Sequence, residues 1–200
     1  MTTRTLIRWG GLVSILFGAV FAISAIINVN GRTVPGMWLA LAGLVLVVFA
    51  MIALYAAQVE RSGVPGLLGF VLTMVGATLS PIGAFAILAR VSGLDANREV
   101  IRFFNTSPLG LIANFGFGLG LIVFGLATFR ANVLPRYAGL LLALGSLIAF
   151  VADIAGLPPV AGAIAFVLVG AGFAWMGWAL FSRKPEMAEQ AKPALSNAQV

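Results

Sequence analysis

Residues able to do chemistry are few in this chain, and most sit inside apolar runs. Asp153 is the single carboxylate within a long apolar stretch. An ionisable group in hydrocarbon costs about 2.5–3.5 kcal/mol on insertion scales unless it is paired or wet. A helix that begins near Tyr137 carries Asp153 about 24 Å further on, at 1.5 Å per residue, which is near one interface and away from the midplane. The expected state is a hydrated group, or one salt-bridged to Arg32, Arg90 or an arginine of the 92–104 segment. A binding or proton-handling role is the second reading. Asn114 lies about one and a half turns into another apolar run, where an amide serves as a cross-helix hydrogen bond of under about 2 kcal/mol. Thr73, Thr78 and Ser80, close to Pro81, make a polar patch that could line a small cavity. Glu60 and Arg61 form an interfacial pair of little energetic weight.

What is missing excludes more than what is present suggests. The 200 residues contain neither histidine nor cysteine. That removes disulfides, thiolate nucleophiles, imidazole ligation of haem, and the common zinc and copper sites. An aspartyl intramembrane protease needs two carboxylates, and a serine protease of the rhomboid kind needs a histidine base. The glycines form no phosphate-binding loop, because they lie within apolar spans and not between a strand and a helix. The sequence therefore predicts no catalysis, no metal and no cofactor.

The elements that must hold these groups are membrane spans. Of the chain, 61% is hydrophobic and 9% charged, and the mean hydropathy is +1.08, so no compact fold could hide so much apolar surface from water. A bilayer core about 30 Å thick takes roughly 20 apolar helical residues. Six stretches qualify: about 8–28, 36–58, 65–90, 108–130, 135–156 and 159–182. Together they form one transmembrane domain over 1–182, an all-α polytopic bundle. The first stretch is too long for a signal-peptide core and lacks a small-residue cleavage site, so it is expected to remain as an anchor. Pro35, Pro65, Pro108, Pro135 and Pro159 stand at or just before span starts, where a missing amide proton costs a helix nothing. Pro81 falls inside the third span and predicts a kink, with the carbonyl near residue 77 satisfied elsewhere.

The net charge of +6 is read as topology, with no nucleic-acid partner implied. Arg4, Arg8, Arg61, Arg130, Arg136, Arg183, Lys184 and Lys192 fall on one side of the six spans, and Arg32, Arg90, Arg98 and Arg102 on the other. The positive-inside rule then places both termini in the cytoplasm. Trp9, Tyr55, Tyr137, Trp175 and Trp178 cluster at the cytoplasmic ends and Trp38 near the opposite face, as an aromatic belt requires.

Between the third and fourth spans, residues 92–104 put Leu94, Val100, Ile101 and Phe104 on one arc and Asp95, Arg98, Glu99 and Arg102 on another. Ser92 with Asp95 reads as a capping box. This predicts a short extracytoplasmic helix lying on the membrane surface or forming a lid. Residues 183–200 read as a polar cytoplasmic tail with no fold of its own.

Small residues recur at four-residue spacing: Gly10, Ser14, Gly18 and Ala22 in the first span, Gly110, Asn114 and Gly118 in the fourth beside the pair Gly116 and Gly120, and Gly145, Ala149 and Asp153 in the fifth. Lipid offers no hydrophobic drive for helix association, so close approach through small side chains supplies the contact. Packing within the bundle is the plainer use of these faces, and docking of a partner helix the other. The odd-numbered spans also match one another loosely: Trp9-Gly10-Gly11-Leu12-Val13, Val64-Pro65-Gly66-Leu67-Leu68 and Tyr137-Ala138-Gly139-Leu140-Leu141, each with a small residue seven further on (Gly18, Thr73, Ser146). A three-hairpin architecture is one reading of that pattern.

Leu134-Pro135-Arg136-Tyr137-Ala138-Gly139, after a span ending Gly125-Leu126-Ala127-Thr128-Phe129-Arg130, resembles the hairpin of small uncharacterised multi-helix bacterial inner-membrane proteins that join two spans through a Leu-Pro-Arg-aromatic-Ala-Gly turn. The opening Arg8-Trp9-Gly10-Gly11-Leu12 is similar in kind. The resemblance covers about two hairpins and implies a bacterial inner-membrane location, with no activity to transfer. On these grounds the leading expectation is a non-catalytic scaffold or accessory subunit packing against lipids, other membrane subunits or itself. The alternatives are a small-solute transporter or channel around Pro81, Asn114 and Asp153, and a module holding a lipid, quinone or carotenoid.

Overall fold

The computed structural model describes residues 3–94 and 97–182, which form seven helices and no strand. They are α1 (Thr3–Ile27), α2 (Val34–Ala56), α3 (Val59–Val91), α4 (Asn97–Thr106), α5 (Pro108–Ala131), α6 (Arg136–Ile154) and α7 (Pro159–Phe181). All but α4 are long and apolar enough to cross a bilayer. Large apolar side chains are exposed around the outside, Phe49, Leu68, Phe85, Leu144 and Ile164 among them. A water-soluble fold does not leave such a surface open, and the protein is an integral membrane bundle.

Local chemistry sets the helix ends. Thr33 caps α2 by accepting from the Gly36 amide, and Ser107 caps α5 by accepting from the Gly110 amide. Pro35, Pro108 and Pro159 occupy the first or second helical position, and α5 stops at Asn132 in the left-handed conformation. In the Leu-Pro-Arg-Tyr-Ala-Gly turn, Leu134 is buried, Pro135 stands at the N-cap of α6 and the Arg136 guanidinium lies 4.8 Å from the Phe129 ring centroid.

The third span starts where expected. A short helical turn from Val59 precedes it and is separated from it by a break, and beyond the break the dihedrals stay helical through Pro81. The break falls at Gly63 (φ 57°, ψ −159°), a conformation essentially confined to glycine. Pro65 follows two residues on, so its missing amide proton falls in the first turn after the break. Around Pro81, Thr78 donates to the Met74 and Val75 carbonyls and Ser80 to the Gly76 carbonyl. Of the capping box expected from Ser92 and Asp95, only Ser92 is described. Ser92 ends α3, its hydroxyl donating to the Leu88 carbonyl, while Asp95 lies outside the described residues, as does the expected tail 183–200.

The six long helices stand in a ring that follows the chain. Each packs on its neighbours in the order α1, α2, α3, α5, α6, α7, and α7 closes back onto α1. Apart from α2 and α7, no two described helix backbones approach closely across the ring. Glycines make the seams. Gly11 faces the Gly177 carbonyl and Gly18 the Gly170 carbonyl, two matched pairs seven residues apart on both helices, and between them the buried Ser14 hydroxyl donates to the Phe173 carbonyl at 2.9 Å. Gly125 and Gly139 close α5 on α6 in the same reciprocal way.

With no helix on the ring axis, side chains must fill the middle, and they fill only half of it. Phe17, Val47, Met51, Leu54, Phe124, Leu142, Phe173 and Met176 form the core. All lie at mid-span or toward the end of the bundle that carries the chain termini. The opposite end, where α4 sits, is open inside.

A one-ended cavity in the bundle

The open half of the ring is a cavity of about 650 Å³, within the roughly 300–1,000 Å³ common for small-molecule sites. Its wall comes from α1, α5, α6 and α7, with Ser80 of α3 and the α1–α2 and α6–α7 connections. The wall there mixes small residues (Ala25, Gly118, Ala149, Gly162) with phenylalanines (Phe21, Phe115, Phe117, Phe150, Phe166). No helix occupies the axis there, and the space lies between these walls.

The mouth is polar and the depth largely apolar. Arg32, Asn28 and Asp153 stand near the α4 end, with the exposed Gly31, Leu157 and Pro158, and Asn114 lies further in, next to Phe115. Deeper, the wall is aromatic. Phe115 and Phe150 meet edge to face at 5.2 Å across the α5–α6 seam, and Phe21 and Phe166 do so at 5.1 Å across the α1–α7 seam. Leu121, Ser146 and Val169 make the floor, near the middle of their helices. From Pro159 at the mouth to Val169 at the floor is about 15 Å of helix at 1.5 Å per residue, half the hydrocarbon thickness of a bilayer.

The residues singled out from the sequence divide between this cavity and the seams. Asp153, Asn114 and Ser80 all line the cavity, from three different helices. Asn114 makes no side-chain hydrogen bond to the described residues, so it does not tie two helices together. Asp153 and Arg32 share the cavity but form no ion pair, and no described arginine pairs with Asp153 in its place. Arg32 instead directs Nη1 toward the Met37 sulfur at 3.8 Å.

Thr73 lies elsewhere: it is fully buried, donates to its own Gly69 carbonyl at 2.7 Å and packs on Gly120. The expected polar patch of Thr73, Thr78 and Ser80 is thus split, with Thr73 in the α3–α5 seam, Thr78 exposed and Ser80 in the cavity wall. Gly116 and Gly120 both face α3, at Leu72 and Thr73. Gly10 turns toward Ala53 of α2, whereas Ser14 and Gly18 turn toward α7. The four-residue stripe of α1 therefore serves two neighbours.

Three functional groups were not picked out as site residues from the sequence. Ser146 is buried at the cavity floor with its hydroxyl unpartnered. At the other end of the bundle Gln58 is buried, its side-chain amide donating to Thr128 Oγ1 at 2.9 Å while Thr128 donates to the Phe124 carbonyl at 2.9 Å. Gln58 Oε1 and the nearby Ser62 Oγ are buried without partners. The four-residue spacing of Gln58 and Ser62 was the available signal, obscured because both sit where one span ends and the next begins.

Compared with protein-family models, curated proteins and solved structures, the chain matches none.

Proposed function

We propose that the protein is a non-catalytic membrane receptor for one small molecule of mixed polarity, held within its own helices. The observation that carries this is the half-depth cavity with charged and amide groups at its mouth and phenylalanines along its walls. Among the alternatives raised by the sequence it corresponds to the holding module. The scaffold role loses its particular support, because the glycine faces that would dock a partner are occupied by neighbouring helices of the same chain.

Absence of covalent chemistry is part of the proposal. A cavity with a single carboxylate, in a chain without histidine or cysteine, lacks the second group that general acid–base or nucleophilic catalysis uses. Transport is the second reading, favoured by the one-ended opening: an occupant would cross only if the Phe17, Phe124 and Phe173 plug parted. The asymmetry of lysine and arginine supports cytoplasmic termini, and the hairpin resemblance supports a bacterial inner membrane. On that topology the cavity opens in the outer leaflet.

The test uses Gly162, which lines the cavity and where an added Cβ meets no atom within 4 Å. Gly162→Phe should fill the space without disturbing a seam. Native mass spectrometry of protein extracted gently from its membranes should find a bound small molecule on the wild type and none on the variant, at unchanged melting temperature. An identical small-molecule complement on both proteins would refute the proposal.

A further inference from the structure

The chemistry of the mouth narrows what the cavity can hold, given that it is a small-molecule site as proposed above. Two full and opposite charges line it, Arg32 and Asp153, and they do not pair with each other. A simple anion would meet Asp153, and a simple cation would meet Arg32. A molecule carrying both charges at a fixed separation satisfies the two together. Below that rim the wall is largely phenylalanine, and its described polar groups are the Asn114 amide, the Ser80 hydroxyl, which donates to the Gly76 carbonyl, and the unpartnered Ser146 hydroxyl. A soluble zwitterion such as an amino acid would leave this part unused.

Depth supplies the second constraint. The cavity runs from the interface to the bilayer middle, about 15 Å, which is the thickness of one leaflet. A molecule whose charged head lies at the interface and whose tail spans one leaflet has these proportions.

We propose that the cavity seats a zwitterionic phospholipid, with its phosphate on Arg32, its ammonium on Asp153 and an acyl chain between the Phe115–Phe150 and Phe21–Phe166 pairs. The head is held by two charge-assisted contacts, and the tail exchanges bulk lipid for an aromatic wall. Selectivity therefore resides in the head: a phosphatidylglycerol head carries the phosphate but leaves Asp153 facing an uncharged glycerol.

The experiment is native mass spectrometry of detergent-purified protein titrated with lysophosphatidylethanolamine and with lysophosphatidylglycerol of the same acyl chain. The wild type should retain one ethanolamine lipid with a preference of roughly tenfold over the glycerol lipid, the size of one charged hydrogen bond. Asp153→Asn should erase that preference while tail-dependent binding persists, Arg32→Gln should weaken both lipids, and Glu60→Gln at the far end should change neither. Equal retention of the two lipids by the wild type overturns the inference, as does a preference that survives Asp153→Asn. Glycerophosphoethanolamine without a tail should not displace the bound lipid, and displacement at similar concentration would overturn the role of the acyl chain. Gly162→Phe separates this inference from the proposed function. Loss of both lipids in that variant without any head-group preference in the wild type refutes the head-group assignment alone, whereas undiminished binding refutes the cavity as a site.

Discussion

Gln58, Thr128 and Ser62 lie within one corner of the bundle and test how a low-dielectric interior treats polar atoms. Gln58 donates to Thr128, which donates to the Phe124 carbonyl, so the pair is a short chain of satisfied donors with one unsatisfied acceptor, Gln58 Oε1. Removing the Thr128 hydroxyl strands the Gln58 amide as well, and a stranded buried group costs about 1–3 kcal/mol. Ser62 Oγ has no partner to lose. Thr128→Val should therefore destabilise the protein by about 1–3 kcal/mol and Ser62→Ala should be neutral or mildly stabilising, measured as unfolding in mixed micelles of rising denaturing-detergent fraction. A larger loss for Ser62→Ala than for Thr128→Val would mean that the hydrogen-bond assignment is wrong. At this scale residue type was a partial guide. Asp153, Asn114 and Ser80 stood out because polar groups are rare in hydrocarbon, and they converge on one cavity. Thr73 stood out for the same reason and is a packing residue, because a threonine can satisfy its hydroxyl on its own preceding turn. Nothing in composition separates the two cases.

Helices were the most legible level, since six apolar runs punctuated by prolines and charges need only a length and a hydropathy to be recognised. Less legible was which glycine does what, and the structure separates them by the neighbour each one meets. Gly170 sits in the α1–α7 seam with the Gly18 carbonyl 2.5 Å from where its Cβ would be, while Gly162, two turns earlier on the same helix, has open space. The same change at the two positions should have opposite signs. Gly170→Ala has to push α1 away and should cost about 1–3 kcal/mol, as overpacking does. Gly162→Ala should be neutral or gain up to about 1 kcal/mol from helix propensity. Thermal denaturation of the two variants in one detergent decides this, and equal shifts would remove the seam from the account of ring closure. The Gly63 break shows the limit of sequence punctuation at this scale. Pro65 and Pro81 look alike in the chain, yet the helical dihedrals are interrupted only beside Pro65, where glycine can take the left-handed conformation.

Across the whole molecule, the cavity follows from closure of the ring. Closure depends on α7 meeting α1, the most distant pairing in the chain, so no local pattern announces it. The clue present in the sequence is a set of small residues near the α4 end, Ala25, Gly118, Ala149 and Gly162, one on each of four helices. Reading it requires knowing which face of each helix looks inward. The absence of cysteine makes that arrangement directly testable, because any introduced thiol is unique. Ala149 and Ile148 lie at nearly the same depth, one lining the cavity and the other on the exposed outer surface. A thiol needs water to ionise and react, so Ala149→Cys should be modified by a small, membrane-impermeant thiosulfonate while Ile148→Cys, facing lipid, should not. With the termini cytoplasmic, Ala149→Cys in intact cells should react from the outside together with Asn30→Cys in the α1–α2 connection. Asn132→Cys and Ser182→Cys should react only after the membrane is opened. Protection of Ala149→Cys with Asn30→Cys still labelled would mean that the cavity is closed to water in the membrane; the reverse order at Asn30 and Asn132 would invert the bundle and move the cavity mouth to the cytoplasmic leaflet.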